Sequence, residues 1–324
     1  MIMEILKLNF NKAISLYKKN IDLKLQTIYL DGPKIIQDPI HYILEGGKRI
    51  RPILFQLIID AFNNSKNKDV TNTAIAIELF HNFTLIHDDI MDDDSLRHGK
   101  ETIHSKWNES IAILSGDAML ALALKLLNGL SDNRDLVINK FHNALIEVCE
   151  GQALDIFYQD KRDVSMDEYM KMIDKKTGFM IGLSSELGGI LSFKNLEVCN
   201  QIRQYGQLIG RAFQIQDDLL EIISDSNVMG KTLKSDFLLN KKTYLLIKSN
   251  EINASKINSI INNPEDDNTI FENYKDFLYS EGIITMTKNH IEKILEDANH
   301  ILSDLNFDAS KLYSFTKLIL NRKK

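Results

Sequence analysis

The stretch that decides the fold runs from Ala74 to Asp94 and reads AIAIELFHNFTLIHDDIMDDD. Its apolar residues recur at intervals of three and four, which places them on one face of an α-helix. The same spacing continues along nearly the whole chain, whereas the alternation typical of a half-buried strand is scarce. The sequence therefore predicts an all-α protein.

Turn-forming and polar residues interrupt the helical pattern and predict roughly ten helices. The interruptions fall at residues 31–33, 46–47, 63–68, 95–102, 131–134, 161–164, 225–234 and 263–268. The chain has 324 residues with only 4 Pro and 15 Gly, and no segment has the composition of a flexible linker. We therefore expect one domain that spans residues 1–324.

Composition narrows the choice of partner and compartment. The net charge of −6 and the pI near 5.8 argue against a nucleic-acid partner, because such a partner requires a basic face. The two cysteines, Cys149 and Cys199, lie in apolar helical contexts, which predicts reduced, buried thiols in a cytoplasmic protein. The longest apolar stretch, residues 111–127, is broken by Ser-Gly-Asp at 115–117, so we expect no membrane span.

The acidic end of the opening stretch is the strongest chemical signal. Asp88 and Asp92 are four residues apart, so a continuing helix projects both carboxylates from one face, one turn apart. Like charges at this spacing repel, which indicates a compensating cation, and hard oxygen ligands suit Mg²⁺. The alternative is a solvated helix end, but negative charge is unfavourable at the negative end of the helix dipole.

A second acidic cluster lies at Phe213–Glu221, FQIQDDLLE, again on an apolar helical pattern. Its polar members Gln214, Asp217, Asp218 and Glu221 have the spacing of one helix face. Two such clusters can meet across a cavity and supply oxygens to magnesium ions that also bind a diphosphate. The pair is therefore a much stronger signal than either cluster alone.

Basic residues complete the predicted site. The segment Gly46–Pro52, GGKRIRP, places Lys48 and Arg51 at a glycine-led helix entry, where backbone and side chains favour an anion. The alternative is a flexible loop with solvated charges.

Other candidate residues depend on their position beside the acidic clusters. The cations are Arg97, Lys176, Lys231 and Lys241. Isolated lysines are usually solvated, so only proximity to an acidic cleft distinguishes them. His81 precedes Asp88 by seven residues and shares nearly the same helix face, but a histidine buried with a local partner is the alternative interpretation.

Taken together, these segments resemble the trans-isoprenyl diphosphate synthases, also called polyprenyl synthetases, from about Pro39 to Leu246. The resemblance rests on Gly46–Pro52, Leu85–Gly99, Thr102–His104, Ile113–Asp117, Gly151–Asp155, Lys176–Gly178 and Phe213–Glu221. It implies an all-α bundle around a deep cavity, with the two aspartate motifs facing each other at its mouth, and usually a homodimer.

The resemblance also implies a role for each matching residue. Asp88 and Asp92 would hold two Mg²⁺ ions and Asp217 a third, all three bridging the allylic diphosphate. The side chains implied to contact that substrate are Arg97, Lys176, Thr177, Gln214, Lys231 and Lys241. Isopentenyl diphosphate would be held by Lys48, Arg51 and His81.

The chain departs from the family pattern at four positions. His98 stands where a second arginine is usual, which weakens the expected grip on isopentenyl diphosphate unless the imidazole is protonated. Glu221 replaces the final aspartate of the second motif. Lys234 replaces a common glycine and Glu101 a common proline, and neither change touches the predicted chemistry.

The helix before Asp88 bears on product length, since the growing chain is expected to run along it. Phe83 and Thr84 precede Asp88 by five and four positions and Phe80 by eight, on one arc of the helix. In similar synthases a single aromatic five positions before the motif goes with a twenty-carbon product. We therefore expect geranylgeranyl diphosphate, with farnesyl diphosphate as the next choice. A class I terpene cyclase and a non-catalytic subunit of a heteromeric synthase remain alternatives.

Overall fold

The computed structural model describes residues 2–29, 31–64, 68–97, 99–224, 241–264 and 266–322, with side chains from Leu8 onward. The all-α prediction is confirmed. Residues 2–128 contain α1 (Ile2–Leu25), α2 (Lys34–Leu44), α3 (Ile50–Ala61), α4 (Val70–Met91), α5 (Ile103–Lys106) and α6 (Glu109–Asn128). The rest contains α7 (Arg134–Asp160), α8 (Met166–Ile173), α9 (Phe179–Leu191), α10 (Leu196–Ile223), α11 (Tyr244–Ile261), α12 (Asp267–Ser280), α13 (Ile283–Ser303) and α14 (Ser310–Leu320).

Two features depart from the purely helical expectation. A short hairpin pairs β1 (Leu96–Arg97) with β2 (Lys100–Glu101) in antiparallel register inside the predicted break at 95–102. Between α8 and α9 the chain forms one π-helical turn, Asp174–Gly178, hereafter the π turn. The described residues also hold more helices than the ten expected, partly because α9 and α10 are separated by a short turn in which Phe193 has a positive φ of 56°.

In α9 every residue from Met180 to Leu191 is buried. This helix packs along α10, and this close approach depends on small residues. A Cβ added to Gly206 would meet the Ser185 hydroxyl at 2.3 Å, and one added to Gly210 would meet the Gly178 Cα at 2.7 Å. One continuous buried apolar cluster extends from Phe10 to Ile319. The single-domain organisation itself stays a prediction.

The structure corrects one prediction about the cysteines. Cys199 is buried as expected, but Cys149 is exposed on α7. Both thiols are free, as predicted.

Helix α6 is long and apolar enough to cross a membrane by length and composition alone. Core helices of globular proteins meet the same criteria. In α6, however, only 39% of the most apolar 18-residue window is buried. An apolar face of α6 is therefore left on the surface, where Ile113 and Leu114 are exposed.

Candidate active site

A cavity of about 1030 Å³ opens where α3, α4, α7, the π turn and α10 converge. It brings together most of the residues that the sequence singles out. Those lining it are Lys48, Arg51, His81, Phe83, Thr84, Asp88, Arg97, Lys176, Thr177, Gln214, Asp217 and Lys241. The acidic motifs and the basic segments therefore meet at one place.

The first acidic motif occupies the last turn of α4. Lys176 Nζ lies 2.9 Å from Asp88 Oδ1, and Lys241 Nζ lies 2.6 Å from Asp92 Oδ2. Arg97 donates from Nε to Asp89 at 2.5 Å and places Nη2 3.7 Å from Asp88. The repulsion expected between these carboxylates is thus balanced by cations from three separate segments. Asp92 itself is buried beneath Lys241 rather than lining the cavity.

Burial and neighbouring charges shift the pKa values of these carboxylates in different directions. Burial raises the pKa of Asp88, but Lys176 and Arg97 outweigh it and the net pKa is below its usual value. Burial and the charge of Asp88 raise the pKa of Asp92 despite Lys241. Burial likewise raises the pKa of Asp89 to about 6, with Arg97 opposing. Carboxylates collected where burial disfavours their charge are typical of functional sites.

The carboxylates present fit magnesium by their chemistry. Asp92 Oδ1 is buried and accepts no hydrogen bond within the described part of the chain, which leaves a hard oxygen for a cation. Across the described residues, no three His, Cys, Asp or Glu side chains gather closely enough to hold an ion. An oxygen such as Asp92 Oδ1 suits Mg²⁺, which keeps water and phosphate oxygens beside one or two carboxylates.

The π turn presents Lys176 and Thr177 to the cavity, and such turns often mark functional sites. Two contacts fix it. A Cβ added to Gly151 of α7 would lie 2.4 Å from the Lys176 backbone nitrogen, so only glycine admits this approach. Lys176 Nζ also bonds Asp155 of α7 at 2.7 Å. Burial disfavours the ammonium, but Asp88 and Asp155 outweigh it and raise the pKa of Lys176.

The second acidic motif lies across the cavity on α10. Asp217 Oδ1 lies 2.8 Å from Arg322 Nη2, just beyond the end of α14. The neighbouring Asp218 is buried and accepts several hydrogen bonds. Gln214 accepts a bond from the Thr177 hydroxyl at 3.0 Å, which ties this helix to the π turn.

The basic segment before α3 is folded around a buried arginine. Arg49 adopts a left-handed conformation with φ of 56° and bonds Asp22 at 2.8 Å and Glu78 at 2.6 Å. Arg51, two residues on, donates to His81 Nε2 at 3.0 Å, which is the local partner considered for that histidine. Burial lowers the pKa of Arg51 to about 10, so the guanidinium remains charged at neutral pH.

The residues assigned to product length occupy different depths. Phe83 and Thr84 line the cavity, and the Phe83 ring packs edge-on against His87 at 4.7 Å. Phe80 is fully buried and is not part of the lining; it lies behind Phe83 at 6.3 Å and packs against Phe141 at 4.6 Å. A direct contact between Phe80 and the growing chain therefore requires Phe83 to move.

Two candidates, His98 and Lys231, lie outside the described residues, as does the substituted position Lys234. Sequence reasoning missed two others that line the cavity, Asp155 as the second partner of Lys176 and Arg322. Asp155 has a signal, since it ends the Gly151–Asp155 segment on the helix face of Gly151. No sequence signal indicates Arg322, because only tertiary packing brings this residue to the second motif.

Comparisons with known proteins agree with this geometry. The model of the polyprenyl synthetase family matches residues 33–277. The geranylgeranyl diphosphate synthase of Saccharolobus solfataricus is 37% identical over 250 residues, which cover 75% of this chain and 74% of that protein. The short chain isoprenyl diphosphate synthase of Methanocaldococcus jannaschii is 39% identical over 241 residues, covering 72% and 73%.

A solved structure has the same fold. The geranylgeranyl pyrophosphate synthetase from Pyrococcus horikoshii Ot3 aligns with a TM-score of 0.88 at 31% identity, covering 99% of this chain and 100% of that one.

Proposed function

The chain belongs to the polyprenyl synthetase family, and we propose that it condenses isopentenyl diphosphate with an allylic diphosphate in trans, with geranylgeranyl diphosphate as its main product. As a member it is a short-chain trans-prenyltransferase, and the family generally uses Mg²⁺. The observation that carries the proposal is the presence of two separate cation groups around one cavity. One faces the aspartate motifs and the other lies at the entry to α3.

The first group would bind the allylic diphosphate. Lys176 and Lys241 already lie against Asp88 and Asp92, so both ammonium groups are within reach of a diphosphate bound there. Mg²⁺, when bound, neutralises the leaving diphosphate; we propose three ions, held by Asp88, Asp92 and Asp217. The fixed cations stabilise the same charge without reorganising as it develops.

The second group, Lys48 and Arg51, would hold isopentenyl diphosphate together with His81 of α4, whose ring accepts from Arg51. Two diphosphates at one cavity allow the double bond of one substrate to attack the allylic cation formed from the other. The proton then lost passes to an oxygen of the released diphosphate, and no side chain is assigned as base. The apolar part of the lining, which includes Phe83 and Met180, keeps water from the cation.

We also propose that two copies of the chain pair through α6 and α7. Ile113, Leu114, Ile146 and Phe157 are large, exposed apolar residues on these two helices. Their exposure explains how α6 can be highly apolar and yet only partly buried. Light scattering after size-exclusion chromatography tests the pairing. A cytoplasmic location, supported by the two free thiols, completes the proposal.

One experiment tests the function. The purified protein is incubated with isopentenyl diphosphate, each allylic primer and Mg²⁺, and the dephosphorylated products are separated by chromatography. A twenty-carbon linear alcohol is expected. A cyclic hydrocarbon without isopentenyl incorporation would instead support a class I terpene cyclase. Turnover only after a second protein is added would support a non-catalytic subunit.

A further inference from the structure

Adjacent aspartates of the second motif have different surroundings. The Asp217 side chain is 38% exposed and pairs with Arg322 at the cavity. Asp218 is only 4% exposed and faces hydrogen-bond donors. Both residues line the cavity, but their different contacts indicate different roles.

Both oxygens of Asp218 are engaged. Oδ2 accepts from the Tyr169 hydroxyl at 2.7 Å and from the Tyr244 backbone N–H at 2.8 Å. Oδ1 accepts from Gln214 Nε2 at 3.2 Å. The donors come from α8, the start of α11 and α10, so one carboxylate joins three helices.

These bonds lead to the two lysines of the first motif. Gln214 uses its other atom, Oε1, to accept from Thr177, the residue after Lys176 in the π turn. Tyr244 lies three residues after Lys241, in the first turn of α11 that the Thr243 hydroxyl caps. Asp218 is thus connected to the backbone that carries each lysine.

We propose that Asp218 is a positioning residue that holds Lys176 and Lys241 against the allylic diphosphate, and that it is not a metal ligand. This inference rests on the proposed function, because it assumes that both lysines bind that diphosphate. Lys176 lies in the π turn, which Gly151 and Asp155 of α7 also contact, and Lys241 lies in the residues that precede α11. A buried carboxylate bonded to both segments fixes the distance between the two ammonium groups.

The decisive variant is Tyr169→Phe, because it removes one bond to Asp218 and leaves the carboxylate in place. If Asp218 acts by positioning, the KM for the allylic diphosphate rises by about tenfold or more. The concentration of Mg²⁺ that gives half-maximal rate should change less than twofold. The amide nitrogen of asparagine cannot accept a hydrogen bond. Asp218→Asn should therefore also raise the KM for the allylic diphosphate with little change in the Mg²⁺ requirement.

Two controls separate the alternatives. Asp217→Asn should raise the Mg²⁺ requirement. Tyr205→Phe removes a different fully buried hydroxyl, which lies on α10 and bonds the Thr316 hydroxyl at 3.2 Å. This change should alter stability without changing the KM for the allylic substrate. Calorimetric binding of farnesyl thiolodiphosphate, a non-reacting allylic analogue, provides a measurement independent of turnover.

The inference is overturned if Tyr169→Phe binds the analogue as tightly as the wild type, or if Asp218→Asn chiefly raises the Mg²⁺ requirement. Should Asp218→Asn not fold, Tyr169→Phe alone decides. Failure of the wild type to elongate any primer would instead refute the proposed function.

Discussion

Arg322 Nη2 lies 2.8 Å from Asp217 Oδ1, so the end of the chain provides a counter-charge to the second acidic motif. The same guanidinium lies 3.8 Å above the Phe213 ring, one turn earlier on α10. Its Nε and Nη1 atoms are buried and have no hydrogen-bond partner among the described residues. All three carboxylates proposed to hold magnesium are therefore paired with cavity cations in this structure.

This pairing predicts competition between Arg322 and a metal ion at Asp217. Arg322→Gln should bind Mn²⁺ about fivefold more tightly in the absence of substrate, which corresponds to roughly 1 kcal/mol for a partly exposed ion pair. Electron paramagnetic resonance of free Mn²⁺ measures the affinity. Lys317→Gln, which removes an exposed cation from α14, is the matched control. Equal affinities in all three proteins would contradict the competition.

The different pKa shifts of Asp88 and Asp92 predict opposite effects on stability. Asp88 has a lowered pKa, so its charge is favoured in the folded state and Asp88→Asn should lower the melting temperature. Asp92 has a raised pKa, so Asp92→Asn should leave the melting temperature unchanged or raise it. Thermal unfolding at pH 7 without Mg²⁺ makes the comparison.

Both substitutions should nevertheless lower turnover by roughly a hundredfold or more, because each removes a charged oxygen from the diphosphate site. A variant that is more stable and inactive is expected where a functional site holds charge at the expense of stability. Full activity in Asp88→Asn would falsify its assignment as a metal ligand.

The sequence predicted local geometry well because helical spacing alone relates residues close in the chain. Asp88 and Asp92 share a helix end as expected, and Lys48 and Arg51 flank the start of α3. It could not predict the π turn, because that turn depends on contact with Gly151 in another helix and not on local composition. The pairing of Arg322 with Asp217 and the exposure of Cys149 could not be predicted for the same reason, since both are set by tertiary packing.

The tight approach of α7 to the π turn leads to a prediction about Gly151. In Gly151→Ala the new methyl group would lie 2.4 Å from the Lys176 nitrogen and 2.8 Å from the Lys175 carbonyl carbon. Backbone atoms cannot rotate away, so the π turn must shift and Lys176 loses its alignment with Asp88. Turnover should fall at least about tenfold.

Gly129→Ala is the matched control for this change. At that position, beside the end of α6, the nearest atom to an added Cβ is the Leu126 carbonyl oxygen at 3.4 Å. Its kinetics should resemble the wild type. If both alanine variants behave alike, the close approach at Gly151 does not position Lys176.

His290 predicts how stability depends on pH. Burial lowers its pKa, with Arg211, Lys293 and Lys248 adding repulsion, and its ring stacks on Tyr244 at 5.4 Å. A depressed histidine pKa favours the neutral ring in the folded state. Its contribution is therefore present above the unfolded pKa of about 6.5 and is lost as the pH falls through the folded value.

The melting temperature of the wild type should thus fall as the pH is lowered from about 7 to 5, and that of His290→Gln should fall less. The raised pKa of Asp89, about 6, acts in the same interval with the opposite sign in both proteins, so the effect of His290 is the difference between their slopes. Calorimetry across the interval gives both slopes. Parallel slopes for the two proteins would show that His290 does not govern this titration.

We propose that the Phe83 ring, which lines the cavity, limits product length. Phe83 lies about 7.5 Å below Asp88 along α4 and lines the cavity, whereas Phe80 lies behind it. Phe83→Ala should therefore lengthen the product beyond twenty carbons, because the chain gains the space of the ring. Thr84→Phe should shorten it to fifteen carbons, because a second ring then enters the lining beside Phe83. Phe80→Ala is the internal control: while Phe83 covers that site, its product should change much less. Chromatography of dephosphorylated products at equal conversion measures all three variants. If Phe83→Ala and Thr84→Phe both fold and both give the wild-type distribution, Phe83 packs the core of the bundle and another surface limits the chain.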